Sequence, residues 1–196
     1  MKRIVLLLLF FPLIAFSQNL QSGEFLWSKE RKLQKEDYKL SIHDNNVQIR
    51  SSISFSYQLR GFNVFNSNFN KNIINKFSSS SSALDSTADN IPAMVDYQQV
   101  NFDLSEVYTR KMRKELLLNK NKLWKGLDYA EEIFNTLTSE FAKNQALMDE
   151  ETNYGLNVQK LQSWKQKIND DLEALSEFDY NNTSKIKIKK SSKEEI

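Results

Sequence analysis

The chain has 196 residues, with 27 Lys and Arg against 25 Asp and Glu, one His and no Cys. That excludes disulfides, thiolate metal sites and a Cys nucleophile, and leaves His43 as the single imidazole. Four Gly residues exclude a glycine-rich phosphate loop, and the near balance of charge excludes the concentrated basic face of a nucleic-acid binder.

The first 17 residues read as a signal peptide. Lys2 and Arg3 form a basic start, Ile4 to Ile14 is an almost unbroken apolar run, and Ala15-Phe16-Ser17 puts small residues at the cleavage site. Cleavage after Ser17 starts the mature chain at Gln18. The run is short for a bilayer span. The expectation is a periplasmic or secreted protein with no stable membrane insertion after cleavage. Without Lys2 and Arg3 the chain carries 25 basic and 25 acidic residues. Lys185, Lys187, Lys189, Lys190 and Lys193 against Glu194 and Glu195 place +3 near the C-terminus. Residues 18–180 read as one domain and 181–196 as a Lys-rich flexible tail. Within the tail, Ile186 and Ile188 alternate with Lys, leaving room for a short edge strand.

Along the chain, Tyr38, Leu40 and Ile42 alternate and predict a short strand, followed by a turn at Asp44-Asn45-Asn46. Val47, Ile49, Ile53, Phe55, Tyr57 and Leu59 occupy odd positions, with polar residues between them, so a strand with one wet face is expected. Arg60-Gly61 offers a turn, and Phe62, Val64 and Phe69 suggest a return strand. Residues 78–90, which begin with five serines, read as a mobile loop. Asn90 or Asp89 then caps a helix with Pro92 in its first turn.

Three amphipathic helices follow, at about 92–118, 121–148 and 157–176. Their apolar stripes run through Met94, Tyr97, Asn101, Leu104, Tyr108 and Met112; through Leu123, Leu127, Ala130, Phe134, Leu137 and Phe141; and through Val158, Leu161, Trp164, Ile168, Leu172 and Leu175. The fold class is α+β: a small antiparallel sheet from about 33–70 packed against three helices.

The first helix carries Tyr97-Gln98-Gln99-Val100-Asn101, then Phe102-Asp103-Leu104-Ser105-Glu106-Val107-Tyr108-Thr109-Arg110-Lys111-Met112-Arg113. This stretch resembles the helix of the domain of unknown function 922 family, predicted secreted zinc-dependent proteases, in which it reads roughly HEQxHFDxxExYxRKxR. Downstream, Glu151-Thr152-Asn153-Tyr154-Gly155 resembles that family's ETxHG segment, followed by a helix holding Trp164. The resemblance spans about residues 25–176. It implies that Tyr97, Asn101 and Tyr154 stand where the family has metal-binding His, and Gln98 where it has the catalytic Glu. Asp103, Glu106, Arg110 and Arg113 keep the pattern. In an HExxH helix, positions i and i+4 share a face and can hold one metal, while the Glu activates its water. Phenol and carboxamide are poor zinc ligands, and Gln98 cannot shuttle a proton.

The expectation is therefore an exported pseudo-protease, a binding or structural module with no catalytic residues, no metal and no cofactor. Its partner is an unknown protein or small ligand. Tyr97 and Asn101 are expected to fill the vacated cavity, with the phenol bonded to the Asn amide; a remodelled pocket lined by Tyr97, Asn101 and Tyr154 is the sharper reading. Glu106 and Arg110 are expected to pair on the helix surface, and Asp149-Glu150-Glu151 to cap the third helix. The alternatives are a hydrolase that takes metal on Asp103 and the 149–151 carboxylates, and an envelope protein whose Lys-rich tail meets anionic surfaces.

Overall fold

The computed structural model describes residues 20–42, 47–60, 63 and 65–187. The proposed signal peptide, His43, Phe62, Val64 and the tail beyond Lys187 lie outside the described residues. The fold is α+β, with two small three-stranded sheets and three α-helices. The strands are β1 (Glu24–Leu26), β2 (Leu40–Ser41), β3 (Ile49–Arg50), β4 (Ile53–Tyr57), β5 (Ile73–Ser78) and β6 (Ala83–Leu84). The helices are α1 (Ile91–Leu118), α2 (Asp128–Thr152) and α3 (Val158–Ala174).

One sheet has the order β1-β5-β4, all antiparallel; the other is β2-β6-β3, with β2 parallel and β3 antiparallel to β6. The alternating stretch from Val47 to Leu59 is thus two strands. It breaks at Ser51-Ser52, where the chain passes from one sheet to the other. Phe55 and Leu59 point inward and Ser54 and Gln58 outward, as the period of two demands.

The return strand is β5 rather than a segment near Phe69. Ile73, Asn75 and Phe77 are all buried. Asn75 is tolerated there because its Nδ2 donates to Phe102 O at 3.2 Å and its Oδ1 accepts from Ser105 Oγ at 3.0 Å. The serine-rich stretch is also not a free loop. Ser82 Oγ donates to Ser78 O at 2.7 Å and accepts from Ser52 N at 2.9 Å, while Ser78 N donates to Ser52 O at 2.9 Å. Small hydroxyls here satisfy backbone groups at the corner where both chain passages change sheet.

Helix α1 is the axis of the domain. It is buried on nearly every side from Val95 to Leu117 because the sheets cover one flank and α2 and α3 the other. The single stripe read from the sequence understates this: Val100, Phe102, Val107, Leu116 and Leu117 are buried as well. α2 begins at Asp128, seven residues later than its pattern suggested. A 3-10 turn over Lys120–Lys125 fills the gap, with Leu123 inside. Gly126 then has a φ of 126°. The packing continues past residue 180: Ile186 is buried in the main core and its N–H donates to Ser67 O at 3.2 Å. No helix among the described residues is long and apolar enough to cross a membrane.

Candidate functional site

The i, i+4 pair on α1 is buried and occupied. Tyr97 donates its hydroxyl to the Asp149 carboxylate on α2. Burial first, then this bond and the negative charge of Asp149, push the Tyr97 phenol far above its ordinary range. Raised in this way, the phenol acts as a neutral donor to Asp149. Asn101 Oδ1 accepts from Gln145 Nε2 at 3.0 Å, and its Nδ2 reaches back to Tyr97 O at 3.4 Å. The phenol's main partner is Asp149 and the Asn also takes Gln145, while the Asn101 and Thr152 side chains act on the phenol as weaker hydrogen-bond partners, so the expected Tyr97–Asn101 contact is present but secondary. Gln98 is half-buried beside them.

The 153–155 turn does close over this pair, although not through Tyr154. Asn153, Tyr154 and Gly155 all have positive φ, at 48°, 53° and 90°. This reversal lays Gly155 against the Tyr97 ring, so closely that a Cβ on Gly155 would stand 2.8 Å from Tyr97 Cβ and Cγ. Gly155 N donates to Thr152 Oγ1 at 3.1 Å. Tyr154 itself is 70% exposed. The acidic run is the last turn of α2, not a cap on α3. Asp149 takes Tyr97, Glu151 Oε2 takes Trp164 Nε1 at 2.8 Å, and Asn157 caps α3.

The other motif residues look away from this pair. Glu106 and Arg110 are not on the surface: they are buried, together with Arg113. Glu106 Oε1 accepts from Arg110 Nε at 3.1 Å and from Arg113 Nη1 at 2.9 Å. Arg113 also donates to Ile73 O and Phe178 O; Arg110 donates to Leu172 O and to Asp179. Two cations and two carboxylates make a neutral set that ties α1 to β5 and to the chain leaving α3. A guanidinium fork suits this role, because it presents several donors in one plane. The surface-pair reading failed because it treated α1 as a peripheral helix.

Asp103 organises the remaining flank. Its Oδ1 accepts from Trp27 Nε1 and from Gln99 Nε2, both at 2.7 Å, and Lys32 Nζ stands 3.7 Å from Oδ2. Gln99 Oε1 accepts from Leu33 N at 2.7 Å. Segment 27–33 is thereby strapped along α1. Two clefts open on either side of this strap, of about 540 and 590 Å³, and both are lined by Lys32, Asp103 and Asn169. The first has apolar walls from Leu33, Ile91, Val95 and Ile168; the second includes Trp27 and Arg110. Such a volume with few convergent polar groups is what small-ligand sites share. The signal for it in the sequence was the Gln99–Asp103 spacing, which puts both on one helical face; the strap that completes it comes from seventy residues upstream and left no trace there.

Burial raises the Asp103 carboxyl above its usual range, against the opposing pull of Lys32, Trp27 and Gln99. A raised folded-state value means that its contribution is full below the unfolded value and is lost as pH rises through the folded one. Asp103→Asn keeps an acceptor for Trp27 and removes the ionisation. Wild type should therefore lose stability relative to Asp103→Asn as pH rises from about 4 towards 7. Urea denaturation at a series of pH values reads this directly, and a difference of the opposite slope would contradict the burial argument.

No family model, curated protein or solved structure matches this chain.

Proposed function

We propose that this chain is an exported, non-catalytic binding module on a degenerate zinc-protease-like scaffold, and that the clefts around Asp103 are its binding surface. The observation that supports the non-catalytic part is the condition of the i, i+4 pair. Tyr97 and Asn101 are spent on Asp149 and Gln145, under the Gly155 turn. A zinc hydrolase needs imidazoles at that spacing and a base that can accept and return a proton; phenol, carboxamide and Gln98 supply neither. The approach of the 153–155 turn to Tyr97 fits the resemblance, whereas the exposed Tyr154 does not join Tyr97 and Asn101 in a shared pocket.

The hydrolase alternative is less favoured. Asp103, Asp149 and Glu151 are each engaged by a Trp or Tyr donor. Among the described residues no three His, Cys, Asp or Glu side chains are grouped as a metal would require.

Elemental analysis and zinc titration of the purified protein test the first part. The expected result is no stoichiometric zinc and a melting temperature unmoved by chelator, because a bound metal stabilises the native state by mass action. One zinc per chain with peptide hydrolysis would overturn it. The cleft is tested by thermal shift against a panel of small amines, amides and carboxylates. Ligands of the cleft should raise the melting temperature of wild type and not of Asp103→Asn.

A further inference from the structure

We propose that the end of the molecule around Phe65 and Trp124 docks on an anionic lipid surface. Five stretches of twelve or more residues hold no Asp or Glu: 1–23, 45–84, 116–127, 152–169 and 180–193. The fold brings described parts of the second, third and fifth together around residues 65–68. Lys120 Nζ donates to Asn66 O at 3.2 Å, joining 116–127 to 45–84. Ile186 N donates to Ser67 O at 3.2 Å, and Asn68 Nδ2 to Ser184 O at 2.6 Å, joining the start of 180–193 as well.

At this junction Phe65 and Trp124 pack edge to face, with centroids 5.2 Å apart. They remain 70% and 63% exposed, and Leu118 and Leu127 beside Trp124 in sequence are exposed too. The pair is thus held by its own contact and covers no core. Lys122, Lys125, Lys185 and Lys187 are exposed around it. Ile186, buried between the last two, fixes both at the surface. Acids border this end on both sides: Asp128 and Glu132 share a hollow with Lys122 and Lys125, and Glu177 and Asp179 lie beside Asn181 and Asn182.

Charge complementarity sets the partner as an anionic surface, and the apolar groups choose which. Trp and Phe settle at headgroup depth, and lysines beside them add attraction to acidic lipids. A single-stranded nucleic acid would use the rings as stacking platforms but has nothing to place on Leu118 and Leu127; a bilayer takes up aliphatic and aromatic groups alike. From Asp103 to Leu118 is about 22 Å along α1. Cleft and docking surface are therefore separate, and one can fail without the other.

The test is co-sedimentation of the chain starting at Gln18 with large vesicles, so that the apolar run Ile4–Ile14 does not itself carry the binding. Vesicles of phosphatidylcholine are compared with vesicles containing phosphatidylglycerol. The expected result is binding to the second only, weakened roughly fivefold per lysine by Lys122→Glu and Lys125→Glu and roughly tenfold by Trp124→Ala. High salt should reverse it. All sites changed are exposed, and unchanged melting temperatures verify the fold. Failure to bind anionic vesicles overturns the proposal. So does equal binding by wild type and Trp124→Ala, or binding to a single-stranded oligonucleotide in place of vesicles.

Discussion

Glu106→Ala should lower the unfolding free energy by about 3–5 kcal/mol, the range for breaking a buried ion pair from one side. Glu106 Oε1 is the shared acceptor for Arg110 and Arg113, and all three are buried. Without it, Arg113 keeps only backbone carbonyls, and the two cations face Asp179 alone. Burial already works against the charged form of Arg113, and the Glu106 charge is the largest influence opposing it. Arg does not deprotonate to escape, so the cost falls on folding. A domain of this size has about 5–15 kcal/mol in total, which leaves the variant near the threshold. Asp96→Ala, which breaks the half-exposed pair with Lys165, is the control and should cost about 1 kcal/mol or less. Urea denaturation of the two variants decides; similar losses would mean that the buried set contributes no more than a surface pair.

Gly155→Ala should cost on the order of 2–4 kcal/mol, from overpacking and from a backbone region that L-residues avoid. A Cβ there would meet the Tyr97 ring carbons at 2.8 to 2.9 Å, and φ is 90°. The ring cannot easily retreat, because its hydroxyl is tied to Asp149 and the residue is buried. Gly126→Ala separates the two causes. Its φ is 126°, yet nothing lies within 4 Å of an added Cβ, so it should lose only the dihedral part. Thermal or urea melts of both variants give the comparison. If Gly155→Ala is no worse than Gly126→Ala, the contact with Tyr97 is soft, and the turn does not seal the Tyr97–Asn101 pair.

Sequence periodicity located the helices to within a few residues, except for the start of α2. There Leu123 and Leu127 continue the apolar stripe although a 3-10 turn and Gly126 interrupt the helix. Apolar spacing reports which residues face inward, not whether the backbone between them stays helical. The same limit applies to β5. Asn72, Asn75 and Lys76 make it read as polar, but it is the central strand, because Asn75 is satisfied by α1. Of the site, the i, i+4 relation of Tyr97 and Asn101 was legible, as was the approach of the 153–155 turn. Their bonding partners, Asp149 and Gln145, were not, since both come from the facing helix.

The sequence by itself determined the fold class, the three helices, the half-wet strand stretch and the absence of thiols and of more than one imidazole. These follow from local periodicity and residue chemistry, which need no knowledge of neighbours. Only the tertiary structure decided that α1 is enclosed on nearly every side, which turned Glu106 and Arg110 from a surface pair into an interior one. It also decided that segments of three acid-free stretches meet around residues 65–68 and that Asp103 stands between two clefts. Each of these depends on which distant segments meet, and a residue's own neighbours in sequence carry no record of that.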